Sequence, residues 1–93
     1  MEIGFYRDPD SGLAHCYARH GVHERDAIQV LRRATRRFRN EDGALVAEGQ
    51  TEAGRYLRVI YREYRDHAFV FVITAYELSE KAKRAFRRRR KSK

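Results

Sequence analysis

The spacing of apolar positions predicts a weak strand at the start of the chain and two helices after it. Ile3 and Phe5 alternate with other residues at the period of an extended segment. A short helix is expected over residues 13–19 and ends at Gly21, because glycine commonly adopts the left-handed conformation after a helix. A second helix is expected over residues 23–37, where apolar residues recur at helical spacing: Ala27, Leu31, Ala34 and Phe38. Its solvent-facing stripe would be Arg25, Gln29, Arg32 and Arg36.

Three extended segments follow, over residues 44–51, 55–63 and 68–76. Their short connections favour antiparallel neighbours. The third is apolar on both faces, so we expect it in the middle of the sheet, covered by helix on at least one side. Ser79 begins a last helix, whose apolar stripe is Leu78, Ala82, Ala85 and Phe86. The pattern therefore predicts an α+β fold, with two helices packed on an antiparallel sheet of three to four strands.

The middle extended segment has two chemically different faces. Side chains alternate across a sheet, so Leu57, Val59 and Tyr61 lie on one face, which we expect to meet the helices. The other face then carries Tyr56, Arg58, Ile60 and Arg62. Guanidinium groups spaced along a strand suit consecutive phosphates, and tyrosine stacks on bases. An ordinary solvated strand face has the same pattern, so spacing alone leaves both interpretations open.

The positive charge is concentrated at the C-terminal end. Residues 81–93 contain nine lysines and arginines and no acidic residue, so removing them from the net charge of +8 leaves −1 for residues 1–80. We expect one domain over residues 1–86 and a basic, flexible tail over residues 87–93, since like charges oppose compaction. This segment is either a solubilising tail or an electrostatic handle. Four successive arginines favour the handle, because guanidinium groups match phosphates.

Several classes of protein are disfavoured by the composition. The single cysteine, Cys16, excludes an internal disulfide and fits a reducing compartment. The charged residues Glu2, Arg7 and Asp8 stand where a signal core would be apolar, and the longest apolar run, over residues 68–76, is too short to span a bilayer. We therefore expect a cytoplasmic protein without membrane contact. The histidine spacing completes no ligand set, so no metal and no cofactor are expected.

Metal-independent RNA cleavage by 2′-hydroxyl attack is the chemistry that the polar residues would serve. It needs a base, an acid and cations that stabilise the phosphorane. The sequence offers Glu48, Glu52, His20 and His67 as bases or acids, Tyr61 and Tyr76 as weak acids, and Arg55, Arg58 and Arg62 as cations. From these we select as catalytic candidates Arg58, Arg62, Tyr76, Glu48 and His20. The candidates for RNA binding are Arg55, Tyr56, Lys81, Arg84, Arg87, Arg88, Arg89 and Arg90.

Three groups of residues carry a family resemblance that extends over nearly the whole chain. Asp8-Pro9 and His20-Gly21-Val22, followed by a helix with Ala27 and Val30, resemble the opening of BrnT-type toxins. Gly54-Arg55-Tyr56-Leu57, followed by Val59-Ile60-Tyr61, is similar to the Gly-Arg-x-Leu-x-Val-x-Tyr strand of that family. Ile73-Thr74-Ala75 before a basic helix resembles its closing Ile-Ser-Ala segment. The order of the elements also matches the RelE/ParE toxin superfamily.

The resemblance implies a RelE-like fold and a ribonuclease toxin of a type II toxin–antitoxin pair. It implies RNA as substrate and a small DNA-binding antitoxin as partner. A non-catalytic nucleic-acid-binding module and a ParE-like inhibitor of a protein target are the alternative functions.

The chain also departs from the family pattern. The family usually has arginine after Ser-Ala, where this chain has Tyr76, and its last helix often carries a glutamate where this chain reads Lys81-Ala82-Lys83. Tyr76 is then either a substitute catalytic group or the mark of a weak or inactive relative.

Overall fold

The computed structural model describes the backbone of residues 1–91 and the side chains of residues 1–89. The fold is α+β, as the pattern predicts. The strands are β1 Glu2–Phe5, β2 Arg36–Arg39, β3 Leu45–Gln50, β4 Tyr56–Tyr64 and β5 Phe69–Glu77. The helices are α1 His15–His20, α2 Glu24–Arg33 and α3 Glu80–Lys91, and a single 3-10 turn, Arg65–His67, joins β4 to β5.

The five strands form one mixed sheet in the order β1-β5-β4-β3-β2. The expected antiparallel meander over residues 44–76 is confirmed as β3, β4 and β5. The expectation of a purely antiparallel sheet of three to four strands is wrong, because β1 pairs in parallel with β5 and β2 adds a fifth strand at the other edge. A parallel partner is possible for β1 because α1, α2 and strands β2, β3 and β4 lie between it and β5 in the chain.

The second helix is shorter than its apolar spacing predicts. It ends at Arg33, and Arg36–Arg39 instead forms strand β2 along the edge of β3. Phe38 fits the helical stripe in sequence, but in the structure it pairs with Val46. The Arg37 guanidinium donates to the Leu31 carbonyl in the last turn of α2 and to the Tyr61 hydroxyl at 3.0 Å. These bonds satisfy a helix-end carbonyl and fix the helix-to-strand connection.

The sheet has one face covered by α1 and α2, which we call the helix face, and an opposite second face. Leu57, Val59 and Tyr61 are buried on the helix face, so the predicted register of β4 is confirmed. They pack in a core with residues of both helices, among them Cys16, Val22, Ala27, Val30 and Leu31. The second face consequently carries Tyr56, Arg58, Ile60 and Arg62.

Helix α3 is docked at one end of the second face through its apolar side. Phe86 is buried, and its ring lies edge-on to Tyr56 at 5.7 Å between centroids. The helix continues beyond Phe86 to Lys91, so residues 87–91 extend α3 instead of leaving it at the end of its apolar stripe. Of the expected flexible tail, residues 92 and 93 lie outside the described chain.

Candidate functional site

A row of polar side chains crosses four strands on the second face of the sheet. Arg36 on β2 pairs with Glu48 on β3, Glu48 with Arg58 on β4, and Arg58 with Tyr76 on β5. The register of β4 and β5 shifts between Ile60 and Tyr61, and this irregularity sets which residue of β5 stands opposite Arg58. We call Arg36, Glu48, Arg58 and Tyr76 the polar row.

Glu48 is the centre of the polar row and is only 1 % exposed. Its Oε1 accepts a hydrogen bond from Arg36 Nη1 at 2.9 Å, and its Oε2 accepts one from Arg58 Nε at 2.7 Å. A second Arg58 nitrogen, Nη2, lies 2.5 Å from the same Oε2. A buried carboxylate needs such partners because desolvation of an unpaired charge is costly. Both oxygens are therefore engaged, and Glu48 fixes the two guanidinium groups.

Arg58 keeps its positive charge despite partial burial. Burial by itself lowers the pKa of its guanidinium, but hydrogen bonds with Glu48 and Tyr76 and the charge of Glu48 outweigh it, so the pKa is raised. The side chain remains 30 % exposed. Arg58 is thus a permanently charged group with an accessible edge and a fixed orientation.

His20 extends this arrangement beyond the sheet. Strand β1 pairs with Phe69–Val72 and stops short of Tyr76, so β5 is the edge strand of the sheet at Tyr76. Helix α1 packs against β5. Gly21, at φ 66°, ends α1 in the left-handed conformation, as the sequence predicts, and leaves His20 in the last turn. The exposed His20 ring lies 5.6 Å from that of Tyr76 and 6.0 Å from that of His15. An imidazole, a phenol and a guanidinium therefore meet at one end of the polar row.

Four of the five catalytic candidates come together in this way: Glu48, Arg58, Tyr76 and His20. The fifth, Arg62, lies four residues further along β4, roughly 13 Å from Arg58 at the usual rise of a strand. It is exposed and borders a cleft at the opposite end of the sheet. The sequence correctly placed both arginines on one face of the sheet. In the structure, however, Arg58 belongs to the polar row, whereas Arg62 lies beside the cleft at the other end of the sheet.

The predicted RNA-binding residues of β4 have protein partners. Arg55, just before β4, forms ion pairs with Glu77 at 3.0 Å and Asp26 at 3.6 Å. Tyr56 lies beside α3, where the Arg87 guanidinium stands 4.9 Å above its ring. Arg87 Nε also approaches the Tyr56 hydroxyl at 3.3 Å, and this contact raises the Arg87 pKa. Both residues thus help to join neighbouring elements.

The predicted basic residues of α3 are exposed through residue 89: Lys81, Arg84, Arg87, Arg88 and Arg89. Lys81, Arg84 and Arg88 are separated by three and four residues, so they share one side of the helix. The Arg90 side chain lies outside the described part of the chain. Helix α3, which docks beside Tyr56 on the second face, therefore presents a line of exposed cations.

Arg36 is a site residue that the sequence did not reveal. Its position at helical spacing suggested the solvent face of α2, whereas it lies on β2 and binds Glu48. The alternation of Arg36 and Phe38, both turned to the second face, was the available signal. His15, whose ring lies near that of His20, was also not among the candidates selected from the sequence.

Comparison with family models, with curated proteins and with solved structures gave no match to this chain. Within residues 1–91, no three side chains of His, Cys, Asp or Glu are grouped as metal ligands. No helix in the same part of the chain has the length and apolar character needed to span a membrane.

Proposed function

We propose that this protein is a toxin-like, metal-independent endoribonuclease whose reaction centre is the end of the polar row near His20. The observation that carries the proposal is the proximity of His20, Tyr76 and Arg58. The guanidinium of Arg58 is held in place by the buried carboxylate of Glu48. These groups supply a proton acceptor, a proton donor and a fixed cation, which are the three demands of the reaction.

In the proposed reaction, the His20 imidazole accepts the proton of a ribose 2′-hydroxyl. The 2′-oxygen forms a bond to the adjacent phosphorus, while Arg58 stabilises the charge on the phosphorane oxygens. The bond from phosphorus to the 5′-oxygen breaks, and the Tyr76 hydroxyl donates a proton to that oxygen. The products are a 2′,3′-cyclic phosphate and a 5′-hydroxyl, and proton exchange with solvent restores both side chains.

Glu48 is a positioning residue in this proposal. Its two oxygens already accept bonds from Arg36 and Arg58, so the carboxylate is not free to act as the base. A guanidinium held before the substrate arrives needs no reorganisation during the reaction, which is the basis of electrostatic preorganisation.

The basic side of α3 supports RNA as the ligand. The exposed cations Lys81, Arg84 and Arg88 lie along one side of α3, which docks beside Tyr56 on the sheet face that carries Arg58. Such a line of cations favours a phosphate backbone without reading its sequence. The resemblance to BrnT-type toxins adds the proposed partner, a small DNA-binding antitoxin that would cover the toxin.

Non-catalytic RNA binding is the second candidate function. It is favoured by one observation: Arg36 and Arg58 already share the charge of Glu48, so part of their positive charge is neutralised in the free protein. The basic side of α3 would then carry RNA binding alone. A ParE-like inhibitor, the third alternative, would neither bind nor cut RNA.

Incubation of the protein with end-labelled single-stranded RNA in EDTA tests these functions. The wild type should cut the RNA, whereas His20→Ala should cut at least about 100-fold more slowly because it lacks the proton acceptor. His23→Ala is the matched control, since His23 is exposed and packs on Tyr17 instead of Tyr76. A gel shift without cleavage would replace the proposal by the binding module, and equal rates for both variants would remove His20 from the mechanism.

A further inference from the structure

The end of the sheet away from His20 contains a cleft that the proposed reaction does not use. It has a volume of about 630 Å³ and lies between the turn joining β2 to β3 and the connection from β4 to β5. Its lining includes three arginines and one aromatic residue: Arg39, Arg62, Arg65 and Tyr64. We call this space the hairpin cleft.

The arginines of the hairpin cleft differ from those of the polar row in their pairing. Among the described side chains, Arg39, Arg62 and Arg65 form no ion pair, although Glu63 and Asp66 also line the cleft. Glu63 follows Arg62 in the strand and so lies on the opposite face of the sheet. Arg39 donates only to the Gly43 carbonyl, at 2.6 Å. Arg39 also lies on that opposite face, because its register partners are Leu45 and, through Leu45, Tyr61. The guanidinium groups of Arg62 and Arg65 therefore remain available to an anion.

Tyr64 gives the hairpin cleft a second recognition element. Its side chain is among the exposed large hydrophobic groups of the molecule, at 44 %, and its ring lies 6.1 Å from that of Phe69. An exposed tyrosine beside unpaired arginines matches the two parts of a nucleotide, since a base stacks on the ring and the phosphate binds guanidinium groups.

We infer that the hairpin cleft is a remote subsite for one nucleotide of the single-stranded RNA that is cut near His20. This inference rests on the proposed function and names a further part of its substrate site. Arg58 and Arg62 lie on the same face of β4, roughly 13 Å apart, so an extended strand passing Arg58 reaches the cleft along the sheet. The cleft binds phosphate through Arg62 and Arg65 and stacks a base on Tyr64.

The test uses a fluorescein-labelled 2′-O-methyl RNA hexamer, which has no 2′-hydroxyl nucleophile and so reports binding alone. The double variant Arg62→Gln/Arg65→Gln should bind at least about tenfold more weakly, and the log–log salt slope should become shallower by about 1.4 units, for two contacts on a single strand. Tyr64→Leu should weaken binding by about tenfold with little change in slope, because stacking involves no charge.

The matched control is Arg25→Gln/Arg32→Gln, which removes the same charge from exposed positions on α2, on the other side of the sheet. If both double variants lose the same affinity for the hexamer, the loss reflects the lower net positive charge of the protein, and the cleft is not a subsite. If the wild type does not bind the hexamer, both the subsite and the proposed function are wrong. If the cleft variants bind weakly but wild-type protein cuts no RNA, the subsite stands and the proposed catalysis falls.

Discussion

The two ends of strand β4 use arginine in different ways. Arg58 contacts a carboxylate that is 1 % exposed, and its guanidinium has a fixed neighbour on each adjacent strand. Arg62, on the same face, is exposed and has no carboxylate partner among the described residues. The difference follows from Glu48: a buried carboxylate requires cations, so the arginines opposite it are held by the fold, whereas those beyond it remain available to a ligand.

Removing the buried carboxylate should abolish the difference between Arg58 and Arg62, because neither arginine would then have a carboxylate partner. This substitution should also have the largest effect on stability. Glu48→Gln leaves Arg36 and Arg58 without their partner, and loss of one member of a buried pair typically costs about 3–5 kcal/mol. Since the two arginine side chains are 34 % and 30 % exposed, solvent compensates in part, and we expect about 2–3 kcal/mol. Urea unfolding measures this loss.

The control for this prediction is the exposed pair between Arg33 and Glu52, whose side chains are 59 % and 65 % exposed. Glu52→Gln should change the free energy of unfolding by less than about 1 kcal/mol. If both substitutions cost the same, burial of Glu48 does not distinguish the two kinds of arginine.

Substitution of the two arginines in turn should separate chemistry from binding. Arg58→Lys retains the positive charge but loses the planar guanidinium, whose two nitrogens contact the Glu48 carboxylate. We expect about a hundredfold lower kcat for RNA cleavage. Arg62→Gln should mainly raise KM, because Arg62 lies roughly 13 Å along β4 from Arg58, the cation of the proposed reaction centre. Single-turnover and steady-state kinetics compare the two variants, and equal effects on kcat would place both in one site.

Deletion of residues 87–93 tests the contribution of the basic C-terminal residues to RNA binding. It removes six basic side chains, so the log–log salt slope of RNA affinity should become shallower by up to about 4 units. The melting temperature should change little, because the deletion leaves Phe86, the buried residue that docks α3 on the sheet, in place. A large drop in melting temperature would mean that residues beyond Phe86 hold α3 to the sheet.

The smallest effect is expected at the N-terminal turn. Hydrogen bonds from the Ser11 side chain and backbone lower the pKa of the Asp8 carboxyl, although Asp8 is only partly buried. A folded-state pKa below the unfolded value stabilises the fold above about pH 4 and loses this effect as pH falls through the folded pKa. Ser11→Ala should therefore lower the melting temperature slightly at neutral pH, and the difference between wild type and variant should become smaller as pH falls through the folded-state pKa of Asp8.

The local parts of the fold were predictable from the sequence. Alternation in β4 predicted that Leu57, Val59 and Tyr61 face the helices, and short connections predicted the meander. Phe38 was misassigned because its spacing satisfies a helix, while its position depends on pairing with Val46, which lies beyond a turn. The parallel pairing of β1 with β5 joins distant segments, so no local pattern revealed it.

The candidate site was predictable as a set of residue types but not as a constellation. Glu48, Arg58 and Tyr76 were selected separately, and their alignment depends on two strand registers and on the shift between Ile60 and Tyr61. Arg62 was grouped with Arg58 because two-residue alternation gives the face and not the distance from a reacting group.

The most direct test of the central claim is the chemistry of the cut. A short RNA that the protein cleaves in EDTA is compared with the same RNA carrying one 2′-deoxy sugar at the cleaved position. We expect a 2′,3′-cyclic phosphate and a 5′-hydroxyl from the first RNA and no cut at that position in the second. Cleavage of the 2′-deoxy RNA at an unchanged rate, or a 5′-phosphate product, would contradict attack by the 2′-hydroxyl at His20, Arg58 and Tyr76.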